Sequence, residues 1–311
     1  MESTRAFCAT IGAMGRSGTG KRPASEDTIT SIKDPRVAAV RAGVDDRRSF
    51  LVEGERMLRQ ALERGAALES VLFLDPLRPD LEPLFEAARL AAPVCSRVTR
   101  GVFFKILGLG YETAVEVLAL VPIPSHDART LTEGASDRKD ALYLVGMGIQ
   151  DPRNVGVLVR TADAFAATAF VLSADSAFPW SRQAIRSTTG SIYRLPIFLS
   201  DDLASFLGEL RRQGVAILGS SVTGTDDCAT AAYRFPCAVL LGNETTGLTP
   251  ELRSCCDALL TIPMSGGAHS LNVTVAGGIL LHHAALRRSG RAASASHRDH
   301  LPFRPAGSRG T

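Results

Sequence analysis

The stretch "HSLNVTVAGG", His269–Gly278, sets a hydroxyl (Ser270) and an amide (Asn272) against a run of β-branched and small residues. Two other stretches share this character. "QDPRNVGVLVRTA" carries Asn154 and Arg160, six residues apart and so less than two helical turns. "LLGNETTGL" carries Asn243 and Glu244 directly after Gly242. Each delivers small residues that permit close backbone approach, followed by polar side chains. Taken singly, each polar residue reads as a helix cap or a turn former. Three such stretches in one chain are more than coincidental capping and mark one candidate site.

The elements that would position them alternate. "ALYLVG", "TAFVLS", "VAILGS", "CAVLLG" and "ALLTIP" read as apolar strands. Between them, "NVGVLVRTADAFA", "SRQAIRST" and "LASFLGELRRQG" read as helices, and a final helix starts near Leu271. Near-continuous apolar strands separated by helices imply an α/β fold with a parallel sheet covered on both faces. Ligands of such sheets sit beyond the carboxyl ends of the strands, which directs attention to the loops after Gly146, Gly242 and Pro263. In the first of these, Asp151 can cap a helix and Pro152 suits its first turn.

A second, smaller α/β region precedes this one. "SFLVEG" has strand character, Met57, Leu58, Ala61 and Leu62 form a helical stripe ended by Gly65, and "SVLFLD" is a buried strand. A helix over Leu81–Leu90, a short strand near Val94 and a helical stretch before "EVLALVPIP" continue the alternation. The expected organisation is a tail over 1–30, a small domain over 31–123, a linker over 124–138 marked by Pro122 and Pro124, a larger domain over 139–288, and a tail over 289–311. Both tails lack an apolar period and are expected to be disordered.

The 311 residues, 45% hydrophobic and 22% charged, suffice to bury the cores of two domains. No apolar run is long enough to cross a bilayer and no secretory signal opens the chain, so the expected address is the cytoplasm. Six cysteines occur without a C-x-x-C pair, which gives no metal centre and suggests reduced, structural thiols. The net charge of +3 is uneven: residues 1–41 carry seven Lys/Arg against four Asp/Glu, residues 287–311 six against one, and the body between them 22 against 27. Basic ends on a mildly acidic body suit a polyanionic partner.

Two motifs fail on inspection. "GRSGTGKR", Gly15–Arg22, nearly matches a phosphate-binding loop, but Arg22 stands where Ser or Thr is required and Pro23 follows. "GMGIQD", Gly146–Asp151, lies between strand and helix like a dinucleotide fingerprint with Asp175 as its ribose acid. Asp151 takes the place of the third glycine. A nicotinamide-dependent oxidoreductase is therefore the alternative from another class.

The stretches "NVGVLVRTA", "LLGNETTGL" and "IPMSGGAHSLNVTVA", in that order, resemble the three motifs of the SpoU (TrmH-type) family of RNA ribose 2′-O-methyltransferases, of the SPOUT class. The smaller region, through "FLVEGERML", is similar to the ribosomal-protein-like RNA-binding domain that often precedes that catalytic domain. The resemblance implies a carboxyl-terminal trefoil knot, a homodimer, and S-adenosylmethionine held largely by backbone around Leu241, Gly242, Asn243, Gly247, Ile262, Pro263, Met264, Ser270, Leu271 and Asn272. It implies catalytic roles for Asn154, Arg160, Glu244, Ser270 and Asn272. Arg160 matches the family's catalytic arginine, and because a guanidinium stays protonated its expected work is to hold phosphate and polarise the ribose hydroxyl. Asn154 and Glu244 are expected to orient both Arg160 and the ribose. Arg182 and Arg186, four apart on a short helix, are a candidate phosphate-facing pair. The expected substrate is large-subunit ribosomal RNA, with transfer RNA, or an RNA-binding protein that has lost activity, as alternatives.

Overall fold

The computed structural model describes residues 28–108, 114–125 and 127–288. Both expected tails, apart from residues 28–30, and the phosphate-loop-like stretch lie outside these residues. The smaller unit is built from α1 (Pro35–Asp45), β1 (Ser49–Glu53), α2 (Glu55–Glu63), β2 (Ser70–Asp75), α3 (Glu82–Ala91), β3 (Val94–Thr99), α4 (Arg100–Leu107) and β4 (Val117–Pro122). Its sheet runs β1-β4-β2-β3, parallel only between β2 and β3. Strand alternation divides the core cleanly. Leu72, Leu74, Leu118 and Leu120 face α1 and α4, while Val71, Phe73, Val117 and Ala119 face α2 and α3. Helix α1 was not anticipated, because its exposed face mixes Ala38, Ala39 and Ala42 with Arg41 and Asp45, which weakens the polar contrast. Its start signal is nonetheless ordinary: the Asp34 carboxylate accepts from Arg36 N at 2.9 Å, and Pro35 occupies the first turn.

The expected linker is partly folded. Helix α5 (Arg129–Thr132) and a following turn bury Leu131 and Ala135 against the larger unit. That unit continues with β5 (Leu142–Gly146), α6 (Pro152–Ala164), β6 (Ala169–Ser173), α7 (Arg182–Thr188), β7 (Ile197–Ser200), α8 (Leu203–Arg212), β8 (Ala216–Ser220), β9 (Asp226–Asp227), β10 (Cys237–Leu241), α9 (Pro250–Ser254), β11 (Ala258–Thr261) and α10 (Val273–Arg288). All seven strands are parallel, in the order β7-β6-β5-β10-β8-β11-β9. The α/β class and parallel sheet read from the sequence are therefore present. The chain steps outward from β5 to β7, then returns on the other side and inserts β10 between β5 and β8. That reversal is the switch point at which parallel sheets open a crevice.

The two units are joined through α7. Arg182 pairs with Glu53 at the end of β1, its Nη2 donating to Oε2 at 3.1 Å, and its Nη1 donates to the Leu107 carbonyl at 3.0 Å. The Glu53 side chain is only 5% exposed. Arg47 lies over the Phe178 ring, 4.8 Å from its centroid.

Candidate active site

Three loops meet at the switch point. The first follows β5. Met147 N extends the ladder to Leu241 O, Gly148 N donates to Ser173 Oγ at 2.8 Å, and Ile149 N to Ser176 Oγ at 3.1 Å. Asp151 then caps α6, accepting from Arg153 N at 2.8 Å as its residue type suggested. The Arg153 hydrogen bond holds the Asp151 carboxyl below its usual range.

The second loop folds back on itself. Asn243 N donates to Gly247 O at 3.2 Å and Gly247 N to Asn243 O at 2.9 Å. The Asn243 amide oxygen takes Thr245 N and Thr246 N, while its nitrogen reaches Gly148 O at 2.6 Å and ties this loop to the first. Gly247, at φ +68°, makes the turn that closes the fold-back.

The third segment, 262–272, delivers Asn272 to the start of α10. Its side-chain oxygen accepts from Thr274 N at 2.8 Å, and its backbone carbonyl from Val275 N and Ala276 N. Helix α10 then lies close against β10 and α6, where a Cβ on Gly277 would stand 2.8 Å from Leu158 Cδ2 and 2.9 Å from Leu241 Cδ1.

One polar chain crosses all three. Gln150 N donates to Glu244 Oε2 at 3.3 Å, Asn154 Nδ2 to Glu244 Oε1 at 3.0 Å, and Asn272 Nδ2 to Asn154 Oδ1 at 3.4 Å. Beside it opens a cavity of about 340 Å³. Leu241, Gly242, Asn243, Gly247, Ile262, Met264, Ser270 and Leu271 line it, as does Glu244; Pro263 and Asn272 do not. Its apolar floor of Leu241, Leu260 and Leu280 under a polar rim is of the kind that takes a nucleoside-sized ligand. An adenosyl group with a charged amino-acid tail, as in S-adenosylmethionine, fits this distribution.

Several sequence expectations need correcting. Arg160 is exposed and makes no hydrogen bond or ion pair among the described residues; Asn154 and Glu244 bind each other instead of orienting it. Six residues at about 100° each leave Asn154 and Arg160 about 120° apart around α6. Arg182 is committed to Glu53 and Leu107 and does not form a phosphate-facing pair with Arg186, which is exposed. Close approach at Gly242 is to the protein's own backbone: a Cβ there would lie 2.6 Å from Leu248 N. The dinucleotide reading fails sterically. Leu172, Ile149 and Phe170 crowd Gly146, and the cavity opens past β10 instead.

Sequence reasoning also missed part of the wall. Ser220, Ser221 and Val222 at the end of β8, and Arg253 on α9, line the cavity. The signal was present, since "VAILGSS" ends a parallel strand and all such ends converge on one side. The described cysteines are free, and burial pushes Cys95 and Cys237 up to about 12 and Cys256 to about 11, so these thiols stay protonated at neutral pH. Among the described residues no cluster of His, Cys, Asp and Glu could hold a metal, and no helix is long and apolar enough to cross a membrane.

Comparison with known proteins converges on the same loops. Residues 141–282 match the SpoU rRNA Methylase family. A 23S rRNA (guanosine(2553)-2′-O)-methyltransferase of Bacillus subtilis is 29% identical over 237 residues, 76% of this chain and 88% of that protein. A 23S rRNA (uridine(2479)-2′-O)-methyltransferase of Streptomyces viridochromogenes is 30% identical over 254 residues, 79% of this chain and 85% of that protein. The AdoMet-bound rRNA methyltransferase of Sinorhizobium meliloti superposes with a TM-score of 0.71 at 28% identity, covering 84% of this chain and 97% of that one. Because the similarity runs through the smaller unit as well as through all three loops of the larger, this chain belongs to the SpoU rRNA methylase family.

Proposed function

We propose that the protein methylates a ribose 2′-hydroxyl of large-subunit ribosomal RNA, with S-adenosylmethionine as donor. The observation that carries this reading is the Gln150–Glu244–Asn154–Asn272 chain at the mouth of the cavity, in a member of this family whose similar proteins act on 23S rRNA. Those two relatives modify a guanosine and a uridine, which agrees with chemistry directed at the sugar.

S-adenosylmethionine, when bound, supplies a methyl group made electrophilic by its sulfonium. The residues have separate tasks. Glu244 and Asn154 fix one another and, through Asn272, lock the first turn of α6 to the start of α10, so the reaction mouth is preorganised. Ser270, exposed on the cavity wall, is free to bond the incoming ribose or the donor. Arg160, exposed one turn beyond Val157, holds an RNA phosphate and lowers the cost of charge developing on the ribose oxygen. The proton passes to phosphate or water, since a guanidinium does not take it.

Two further features belong to this reading. Val157, Leu271 and Val275 are exposed apolar residues on or beside α6 and α10, which pack together, and they are suited to a homodimer interface. The tight seat of α10 at Gly277 against β10 and α6 is compatible with a trefoil knot formed by the last part of the chain. On the smaller unit, Lys33, Arg41, Arg100 and Lys105 are exposed on or beside α1 and α4, which suits RNA backbone, as does exposed Arg186. The expected compartment is the cytoplasm.

Mapping ribose methylation over total RNA from a deletion strain tests the reading. Loss of one 2′-O-methyl group in large-subunit ribosomal RNA, restored by the purified protein, is the expected result. Loss confined to transfer RNA would replace the substrate. An unchanged map, with the protein still binding RNA, would leave an inactive binding protein.

A further inference from the structure

Arg253 stands out in the cavity wall. It is the one lysine or arginine among the lining residues, on α9, and is only partly exposed. Its Nη2 donates to Ser221 Oγ at 3.1 Å and its Nε to the Leu248 carbonyl at a long 3.4 Å. Among the described residues it pairs with no carboxylate; Asp257, four residues on, is taken by Arg211 at 2.9 Å. A partly desolvated guanidinium with spare donors and no counter-charge is an unfavourable arrangement that an anion would relieve.

The other fixed charge on the wall is Glu244, which belongs to the polar chain at the mouth. Arg253 instead sits with Ser221 at the end of β8, and in the sheet β10 separates β8 from β5. The wall is thus polarised, acidic toward α6 and basic toward β8. S-adenosylmethionine is itself polarised, with a cationic sulfonium at its centre and one carboxylate at the end of its tail.

We propose that Arg253, steadied by Ser221, is the binding group for the α-carboxylate of S-adenosylmethionine, so that the amino-acid tail lies toward β8 and the sulfonium methyl is left facing Glu244 and Asn154. This rests on the methyltransferase reading above. It makes Arg253 a determinant of donor orientation as well as affinity, because a tail anchored at one end of the cavity leaves one direction for the methyl group.

The test compares two ligands by calorimetry on the full chain: S-adenosylmethionine and its decarboxylated form, which lacks only the carboxylate. The wild type should bind the decarboxylated form about tenfold to a hundredfold more weakly, the range for one charge-assisted bond. Arg253→Gln should weaken S-adenosylmethionine binding by a similar factor and leave the decarboxylated form nearly unchanged, which abolishes the discrimination. Arg253→Lys should retain part of it, and Ser221→Ala should reduce it modestly. If Arg253→Gln does not fold, the wild-type ratio and the other two variants carry the test. Equal affinity of the wild type for both ligands, or equal weakening of both by the Arg253 variants, overturns the assignment and leaves Arg253 as a structural staple between Leu248 and Ser221. Failure of the wild type to bind S-adenosylmethionine at all would instead sink the methyltransferase reading itself.

Discussion

Gly242→Ala should damage the site more than its single added methyl suggests. Gly242 lies outside the left-handed region, so the penalty is steric alone. The new Cβ would stand 2.6 Å from Leu248 N and 2.8 Å from Gly247 O, both backbone atoms that cannot swing aside as a side chain can. The Gly247 carbonyl carbon is nearer still, so reaching ordinary contact requires the returning arm of the loop to retreat by roughly 1 Å. That displacement opens the Asn243–Gly247 pair, whose bonds are 3.2 and 2.9 Å. Overpacking costs about 1–3 kcal/mol and each lost bond about 0.5–1.5, so restoring the native loop costs at least about 2 kcal/mol. A ligand that requires the closed loop should therefore bind about thirtyfold more weakly or worse. Gly277→Ala is the matched control. Its Cβ meets only the ends of the Leu158 and Leu241 side chains, at 2.8 and 2.9 Å, and alanine gains about 1 kcal/mol over glycine inside a helix. Calorimetry with S-adenosylmethionine and thermal unfolding on both variants provides the comparison. Wild-type affinity in Gly242→Ala, or a larger loss in Gly277→Ala, would refute the steric argument.

Arg160→Ala should lower turnover by about 10² to 10³, the scale for one preorganised donor, and Arg160→Lys should keep a minor part of the rate. Single-turnover rates over a pH series should show an unchanged profile in the lysine variant; a shift toward lower pH would make Arg160 a base. Arg182→Ala strands the Glu53 carboxylate, only 5% exposed, and should cost about 3–5 kcal/mol in unfolding free energy, whereas Arg129→Ala, from a pair open to water, should leave the melting temperature almost unchanged. Burial raises the Asp163 carboxyl, but bonds from Arg194 and Ser191 more than offset this and hold it below its usual range. Its stabilising contribution is therefore complete above the ordinary aspartate pKa of about 4 and fades as pH falls through the lower folded value. Asp163→Asn should be less stable than wild type at neutral pH, and the gap in denaturant midpoint should close in acid; a constant gap would remove the linkage.

The loops of the site were legible because their chemistry is local. Asp151 and Pro152 announce a helix start and Asn272 a cap, each from its own residue type and its immediate neighbours. Pairings made across the fold left no such mark. Arg182 looked like a free cation beside Arg186, yet its partner Glu53 lies 129 residues away on another sheet. The link between Asn154 and Arg160 failed for a geometric reason, since closeness in sequence on a helix is not closeness around its axis. Helix α1 was missed because alanines on an exposed face weaken the contrast on which periodicity depends. Strand β7, four residues long, was too short to register against Pro196 before it. Arg253 was overlooked because nothing in "PELRSCC" reveals that a helix places it against the end of β8.

The position of β10 has a consequence for biosynthesis. Residues 237–241 bond to β5 on one side and β8 on the other, so β5 and β8 cannot join into one sheet until the ribosome has passed Leu241. Until then β5 shows the bare ladder edge of Leu142–Gly146, five residues that are all buried in the finished protein. Such an edge is open to any other unpaired strand, and pairing across nearly a hundred residues is slow to arrive. A nascent chain that stalls or is released before Leu241 is therefore adhesive as well as inactive, and its fate depends on whether a chaperone reaches that edge before another chain does.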